Sequence, residues 1–279
     1  MSLWYEESFR DLSRFALRTR ETLMSRQSEF QKVELIDTVQ FGRVLVIDGV
    51  FMTSERDEHL YHEMIVHPAM VTHPNPQSVL VIGGGDGGTA REVLRHPTVQ
   101  TCTMVEIDAL VVEACKLHLP SLGAWDDPRL QLRIEDGIQF VRETDARFDI
   151  VILDGTDPQG PAEGLFNESF YRNVHRVLRS GGIFALQSEG PFFFPEVFRA
   201  IQVSLAKVFA QVAPYFGSVP LYSAGPWSWT WASDRQDLTP STLPATSEKR
   251  AVEIEKVTRY WNREIQKAAF ALPSELRKV

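Results

Sequence analysis

Between Ser78 and Asp154, short apolar runs alternate with stretches of helical length: SVLVIG (78–83), GTAREVLRH (88–96), TCTMVEI (101–107), ALVVEACKLHL (109–119), LQLRIE (130–135), GIQFVRET (137–144) and FDIVILD (148–154). The apolar runs are nearly unbroken rather than alternating. Each is therefore expected to be a strand buried on both faces, as in a parallel sheet covered by helices on either side. The pattern continues with helices over 167–178 and 194–209 and strands over 182–188, around 211–217 and around 227–233. Ahead of it, 29–54 reads as short antiparallel strands with turn signals at Phe41-Gly42 and Asp48-Gly49. The connecting stretch carries Leu60, Met64, Ile65 and Met70 at helical spacing, a helix interrupted before Pro68 and ending by Pro74. The last segment, 247–270, reads as one polar amphipathic helix with a solvated charged face. The expectation is an α/β chain with a small N-terminal β domain at 1–58 and a parallel-sheet domain at 59–279.

Charge narrows the partners. The 279 residues carry a formal net charge of −8. A broad electrostatic grip on nucleic acid or anionic lipid needs clustered Lys and Arg, so neither partner is expected, and cationic substrates are favoured. The N-terminus lacks a basic n-region followed by an apolar h-region, and no apolar run reaches the length of a membrane span. Two cysteines, Cys102 and Cys115, have no spacing for zinc or a disulfide framework. A cytoplasmic protein with reduced core cysteines is the expectation.

Gly83, Gly85 and Gly88 in VLVIGGGDGGTAREVL form G-x-G-x-x-G between an apolar strand and a helix, the context in which the spacing marks a nucleotide site. Glu106 follows Gly85 by 21 residues, at the end of the second strand, where a carboxylate can accept both ribose hydroxyls. Nicotinamide and S-adenosyl ligands both fit that pair. Asp136 ends the third strand and can accept from an adenine amino group or cap the next helix, and the two roles are compatible. Asp86 sits inside the glycine loop. Its charge would oppose a pyrophosphate or the carboxylate of S-adenosylmethionine, at a cost of about 4 kcal/mol for like charges at about 4 Å, and would favour a ligand ending in an ammonium. It could also serve as a helix cap.

After the fourth strand, LDGTDPQGPAEGLF brings Asp154 and Asp157 to the same end of the sheet, where open parallel sheets bind ligands. Asp86, Glu106, Asp136, Asp154 and Asp157 are thus expected in one crevice, and such a group needs cations. No His or Cys spacing supports a metal site, so an organic polycation is the better match. Tyr61 and His62 lie just upstream, and Tyr222 and Trp227 could line the far wall.

Taken together, LVIDGVFMTSERDEHLYHEM, VLVIGGGDGGTAREVLRHP, MVEID, IEDG, LDGTDPQGPAEGLF, LYSAGPWSWTWAS and IQKAAFALP resemble the polyamine aminopropyltransferases, the spermidine synthases above all, over nearly the whole chain. The resemblance implies a Rossmann-like parallel sheet of the S-adenosylmethionine-dependent methyltransferase type, a homodimer or homotetramer, and no cofactor. Decarboxylated S-adenosylmethionine would be a co-substrate whose aminopropyl group passes to putrescine, giving spermidine and S-methyl-5'-thioadenosine. It further implies that Asp154 is the proton acceptor. Tyr61, His62, Asp86, Asp154, Gly155, Thr156, Asp157 and Tyr222 would contact the amine, and Gln31, Gly83, Gly85, Glu106, Asp136, Gly137 and Pro161 the nucleoside. Two positions depart from the commonest pattern: Met52 stands where many members have Gln, and Pro220-Leu221-Tyr222-Ser223 replaces Pro-Thr-Tyr-Pro. Both bear on whether cadaverine, agmatine or spermidine is the acceptor instead. A methyltransferase and a non-catalytic polyamine-binding protein are the rival readings; Asp86 argues against the first and Asp154 against the second.

Overall fold

A computed structural model describes residues 3–9, 13–157, 160–222 and 225–278, without the side chains of 160, 161 and 278. The N-terminal part is a five-stranded antiparallel sheet in sequential order: β1 (Leu3–Phe9), β2 (Ser13–Gln27), β3 (Lys32–Thr38), β4 (Gly42–Ile47) and β5 (Val50–Ser54). The two turns expected at Phe41-Gly42 and Asp48-Gly49 join β3 to β4 and β4 to β5. The first two strands were not expected from the sequence. β2 is 15 residues long with a single buried position, so it lacks the apolar run by which a strand is recognised.

Helix α1 (Glu58–Thr72) leads to the second sheet, whose strands are β6 (Ser78–Gly83), β7 (Thr101–Glu106), β8 (Leu130–Ile134), β9 (Phe148–Asp154), β10 (Leu178–Gln187), β11 (Gln211–Ser218) and β12 (Pro226–Ser233). Their order is β11-β12-β10-β9-β6-β7-β8. The five strands from β10 to β8 run parallel, and β12 and β11 close one edge antiparallel. The helices between them are α2 (Gly88–Leu94), α3 (Ala109–His118), α4 (Gly137–Glu143), α5 (Glu168–Val177) and α6 (Pro195–Ala206). Chain order reverses between β6 and β9, whose last residues, Gly83 and Asp154, are direct partners. In this topology ligands sit beyond the strand ends at such a reversal.

Two expectations about helices fail, each for an identifiable reason. α1 runs straight through Pro68 instead of breaking before it. Proline leaves the carbonyl four residues earlier without its donor, and here the Tyr215 hydroxyl donates to the Met64 carbonyl at 2.8 Å. At the helix end, Arg250 donates to the carbonyls of Met70 (2.8 Å) and His73 (2.6 Å). The C-terminal segment, by contrast, is two helices, α7 (Glu248–Glu255) and α8 (Arg263–Ala269). Between them the buried carboxylate of Glu63 accepts the backbone N–H groups of Arg259, Tyr260 and Trp261 at 2.7–2.8 Å, holding them in a turn. Asn262 then caps α8 through the Ile265 N–H.

Cys102 and Cys115 are free and buried. Burial pushes the Cys102 thiol up to about 12, so it stays protonated and inert. Among the described residues no helix is long and apolar enough to cross a membrane.

Candidate active site

The ends of β6, β7 and β9 and the start of α4 surround an open crevice of about 950 Å³. Its geometry starts at Gly83. With φ at +81° and only 2.1 Å between a built Cβ and the Asp154 carbonyl oxygen, the position excludes any side chain. That absence lets Gly84 N–H donate to the Asp154 carbonyl at 2.8 Å, so the glycine loop and the acidic strand end leave the sheet side by side.

On one side lie the residues expected to face a nucleoside. Gln31, Gly83, Gly85, Glu106, Asp136 and Gly137 all line the crevice. Glu106 is 8% exposed, and burial pushes its carboxyl up to about 7 even though the Asp108 N–H donates to it at 2.9 Å. Gln31 reaches this wall from the N-terminal sheet because its side-chain amide donates to Asp108 at 3.0 Å, while Asp108 caps α3 through the Leu110 N–H. Asp136 accepts from the Ile138 N–H at 2.8 Å and so fills the cap role weighed for it, with the crevice beside it. Pro161 belongs to a 3-10 turn at Gly160–Leu165, but its side chain lies outside the described residues.

Across the crevice stand Tyr61, His62, Asp86, Asp154, Gly155, Thr156 and Tyr222. Asp154 is the hub. The Tyr61 hydroxyl donates to its Oδ1 at 2.8 Å, and the Thr89 hydroxyl donates to its Oδ2 at 2.6 Å. Burial and the neighbouring charge of Asp86 raise its affinity for a proton, opposed by His62 and by these two donors. A carboxylate so placed is a stronger base than one in water. Asp86 accepts from the Gly88 N–H at 2.8 Å and faces His62 Nε2 at 3.2 Å. Its charge is thus partly answered inside the protein, and the repulsion expected of an isolated Asp86 is correspondingly weaker.

Asp157 opens into an adjoining cavity of about 480 Å³ that shares Met52, Tyr61, Gly155, Thr156 and Tyr222 with the first. Glu7, on β1, lines that second cavity too, as do Phe194 and Trp227. Burial pushes Glu7 up to about 7, with the charge of Asp157 adding to it. The Tyr222 ring lies 5.9 Å from that of Tyr61 and 4.6 Å from that of Trp227. Its hydroxyl, however, donates to the Met52 carbonyl at 2.6 Å, so the polar end is spent on holding β5. The two departures from the family pattern separate here. Met52 lines both cavities, whereas Leu221 is 1% exposed and packed among Leu17, Ile36, Val44 and Phe51, away from either. Ser223 lies outside the described residues.

Residues 58–241 match the model of the spermine/spermidine synthase domain, and residues 3–55 that of the spermidine synthase tetramerisation domain. The polyamine aminopropyltransferase of Bacillus mycoides (strain KBAB4) is 41% identical over 98% of this chain and 97% of its own. That of Bacillus subtilis (strain 168) is 40% identical over 97% and 96%. This chain belongs to the spermine/spermidine synthase family. A crystal structure of spermidine synthase in complex with the transition state analogue AdoDATO superposes with a TM-score of 0.93, at 36% identity over 99% of this chain and 94% of that one. Spermidine synthase from Thermotoga maritima gives 0.91 at 36% identity, over 99% and 93%. The match includes the mostly parallel sheet of the methyltransferase type.

Two residues in or behind this aminopropyltransferase's crevice escaped the sequence. Thr89 is a helix residue directly after the glycine run, and nothing in its context distinguishes it. Glu7 did carry a signal: it alternates with Tyr5 and Phe9 on one face of β1, and a carboxylate among aromatic side chains on an inward face is unusual. His62, Asp86 and Asp154 also offer atoms within 4.8 Å of one another, close enough for a cation. Both ring nitrogens of His62 already face carboxylates, Nδ1 that of Glu58 and Nε2 that of Asp86. The carboxylates suit an ammonium.

Proposed function

We propose that this enzyme transfers the aminopropyl group of decarboxylated S-adenosylmethionine to putrescine. The observation that supports it most is the join of the two cavities at Gly155 and Thr156, directly after Asp154, with the wall of Glu106 and Asp136 on one side and Asp157 and Glu7 on the other. Glu106 takes the ribose hydroxyls, Asp136 the adenine amino group, and Gln31, Gly83, Gly85, Gly137 and Pro161 complete that wall. The donor's sulfonium is already a good leaving group, so the protein's tasks are alignment and removal of one proton.

A free alkylamine near pKa 10 is almost wholly protonated at neutral pH. Asp154 first holds that ammonium and then accepts its proton, leaving the nitrogen lone pair to attack the methylene beside sulfur. A carbon–nitrogen bond forms, the carbon–sulfur bond breaks, and its electron pair returns to sulfur as neutral methylthioadenosine departs. Tyr61 and Thr89 each occupy one lone pair of Asp154, which aims the remaining ones. Asp157 and Glu7 receive the distal ammonium, and Tyr61, Tyr222 and Trp227 cover a short methylene chain. We also place the division of the chain at 58/59, a homodimer or homotetramer built through the N-terminal sheet, and the cytoplasm as its compartment. Leu3 and Trp4, 59% and 58% exposed, fit such an interface.

The acceptor is tested by kcat/KM for putrescine, cadaverine, agmatine and spermidine. Putrescine should rank first, and cadaverine should follow with a penalty of about 1–3 kcal/mol for one methylene. A higher value for agmatine or spermidine would overturn the acceptor and leave aminopropyl transfer standing.

A further inference from the structure

His62 is 2% exposed, yet both of its ring nitrogens meet carboxylates: Nδ1 lies 2.7 Å from Glu58 Oε2 and Nε2 lies 3.2 Å from Asp86 Oδ2. A neutral imidazole has one N–H and one lone pair, so it could donate to only one of them and would turn a lone pair on the other. Only the imidazolium donates to both. Glu58 is fixed in turn by Arg91, whose Nη2 donates to the same Oε2 at 2.7 Å. The row is close-packed: a Cβ on Gly88 would come within 2.3 Å of the His62 ring, so this third glycine of the loop is needed for the histidine to approach Asp86 at all.

We propose that Glu58 is a positioning residue which, backed by Arg91, holds His62 as an imidazolium and through it latches Asp86 into the orientation that receives the donor's ammonium. Asp86 is gripped on both oxygens, by the Gly88 N–H on Oδ1 and by His62 on Oδ2, leaving it no freedom to swing toward Asp154. The inference rests on the functional reading above for what docks at Asp86. The assignment of His62 as a latch rather than an amine contact is additional.

The groups facing His62 are Glu58 and Tyr61 on its own helix, Asp86 on the glycine loop, Arg91 on α2 through Glu58, and Asp154 at the end of β9. Burial by itself would lower the affinity of His62 for its second proton, but Asp86 and Glu58 outweigh it and hold the group well above its usual range. Although burial opposes it, the hydrogen bonds and charges of His62 and Arg91 keep Glu58 ionised, with its carboxyl at about 2.

Glu58→Gln separates charge from shape. The amide oxygen still accepts from Nδ1 and from Arg91, but with the negative charge gone His62 loses a proton, and Nε2 turns a lone pair on Asp86. Side-chain nitrogen resonances of histidine-labelled, ligand-free enzyme, assigned with His62→Asn, should show both His62 nitrogens protonated at pH 7.5 in the wild type and one in Glu58→Gln. In that variant kcat/KM should fall about tenfold or more at pH 7.5 and recover as pH is lowered and His62 regains its proton. Glu58→Asp, which keeps the charge, should retain more activity than Glu58→Gln. A neutral His62 in the wild type, or unchanged kcat/KM across pH in Glu58→Gln, would overturn the latch. Should Glu58→Gln not fold, the wild-type resonance and a Glu58→Asp pH profile matching the wild type are the arms to read, and a neutral resonance again overturns it. A wild-type enzyme that makes no methylthioadenosine with any of the four amines would instead overturn the functional reading, and Asp86's docking role with it.

Discussion

The two sides of the crevice are built differently. The wall proposed for the nucleoside is built mainly at the ends of adjacent strands within residues 83–137, with Gln31 reaching it from the N-terminal sheet. The wall proposed for the amine gathers Glu7, Met52, Tyr61, Asp154, Asp157, Gln187, Tyr222 and Trp227 from across the chain. The first is positioned by sheet register, since each acid follows its own strand and caps or flanks the next helix. The second depends on docking one sheet against the other. Asp57, for example, ties the Leu221 N–H at 2.8 Å, and Tyr222 ties the Met52 carbonyl. The walls also differ in charge, with Glu106 and Asp136 on the first against Glu7, Asp86, Asp154 and Asp157 on the second. A variant should therefore damage one function and spare the other.

The largest separation is expected at Asp154. Asp154→Asn should lower kcat by about 10²–10⁴, the usual contribution of a general base, while methylthioadenosine affinity by calorimetry stays within about threefold, a change of less than one kcal/mol. Retention of more than about a tenth of wild-type turnover would remove Asp154 from the proton-accepting role.

Glu106→Gln should do the converse. A hydrogen bond to a charged group contributes about 1.5–3 kcal/mol, so nucleoside affinity should fall about 10- to 150-fold with little change in the amine KM. The sign of its pH dependence follows from Glu106 standing at about 7 in the empty site. Hydroxyls bind the ionised form, which is depleted below that pH, so wild-type affinity should rise from pH 6 to pH 8, and Glu106→Gln should flatten the curve. A flat wild-type curve would show that the ribose is held by something else.

Glu7→Gln is expected to raise the amine KM about tenfold, as the loss of one charged contact about 1.4 kcal/mol strong would do, and to leave nucleoside binding unchanged. Equal weakening of both ligands would mean that the N-terminal sheet supports the whole crevice rather than its amine side.

That division also explains what could be read in the sequence. Gly83, Glu106, Asp136 and Asp154 were legible because a strand end fixes where its last side chain points, and strand ends are visible as the close of apolar runs. Thr89 was not, and Glu7 showed only as a carboxylate alternating with aromatic residues, because the places of both arise only when distant segments meet. The helix through Pro68 was misread for the same reason: its missing hydrogen bond is supplied by Tyr215, more than a hundred residues away. So was the single C-terminal helix, which is broken by Glu63 on α1. Leu221 looked like a wall residue beside Tyr222 and proved to be core of the N-terminal sheet.

The smallest predicted effect separates Met52 from Leu221, the two departures from the family pattern. Met52→Gln should shift the putrescine-to-cadaverine ratio of kcat/KM by a few-fold, within the 1–3 kcal/mol range of methylene discrimination. A conservative Leu221→Met change, packed away from both cavities, should leave the ratio unaltered.

Aminopropyl transfer itself is tested most directly by incubating the protein with decarboxylated S-adenosylmethionine and putrescine and separating the products by chromatography. Methylthioadenosine and spermidine should appear in equal amounts, neither should form when S-adenosylmethionine replaces the donor, and Asp154→Asn at matched times should give at most about a hundredth as much of each. Absence of methylthioadenosine with every diamine, or its equal formation from S-adenosylmethionine, would contradict the assignment.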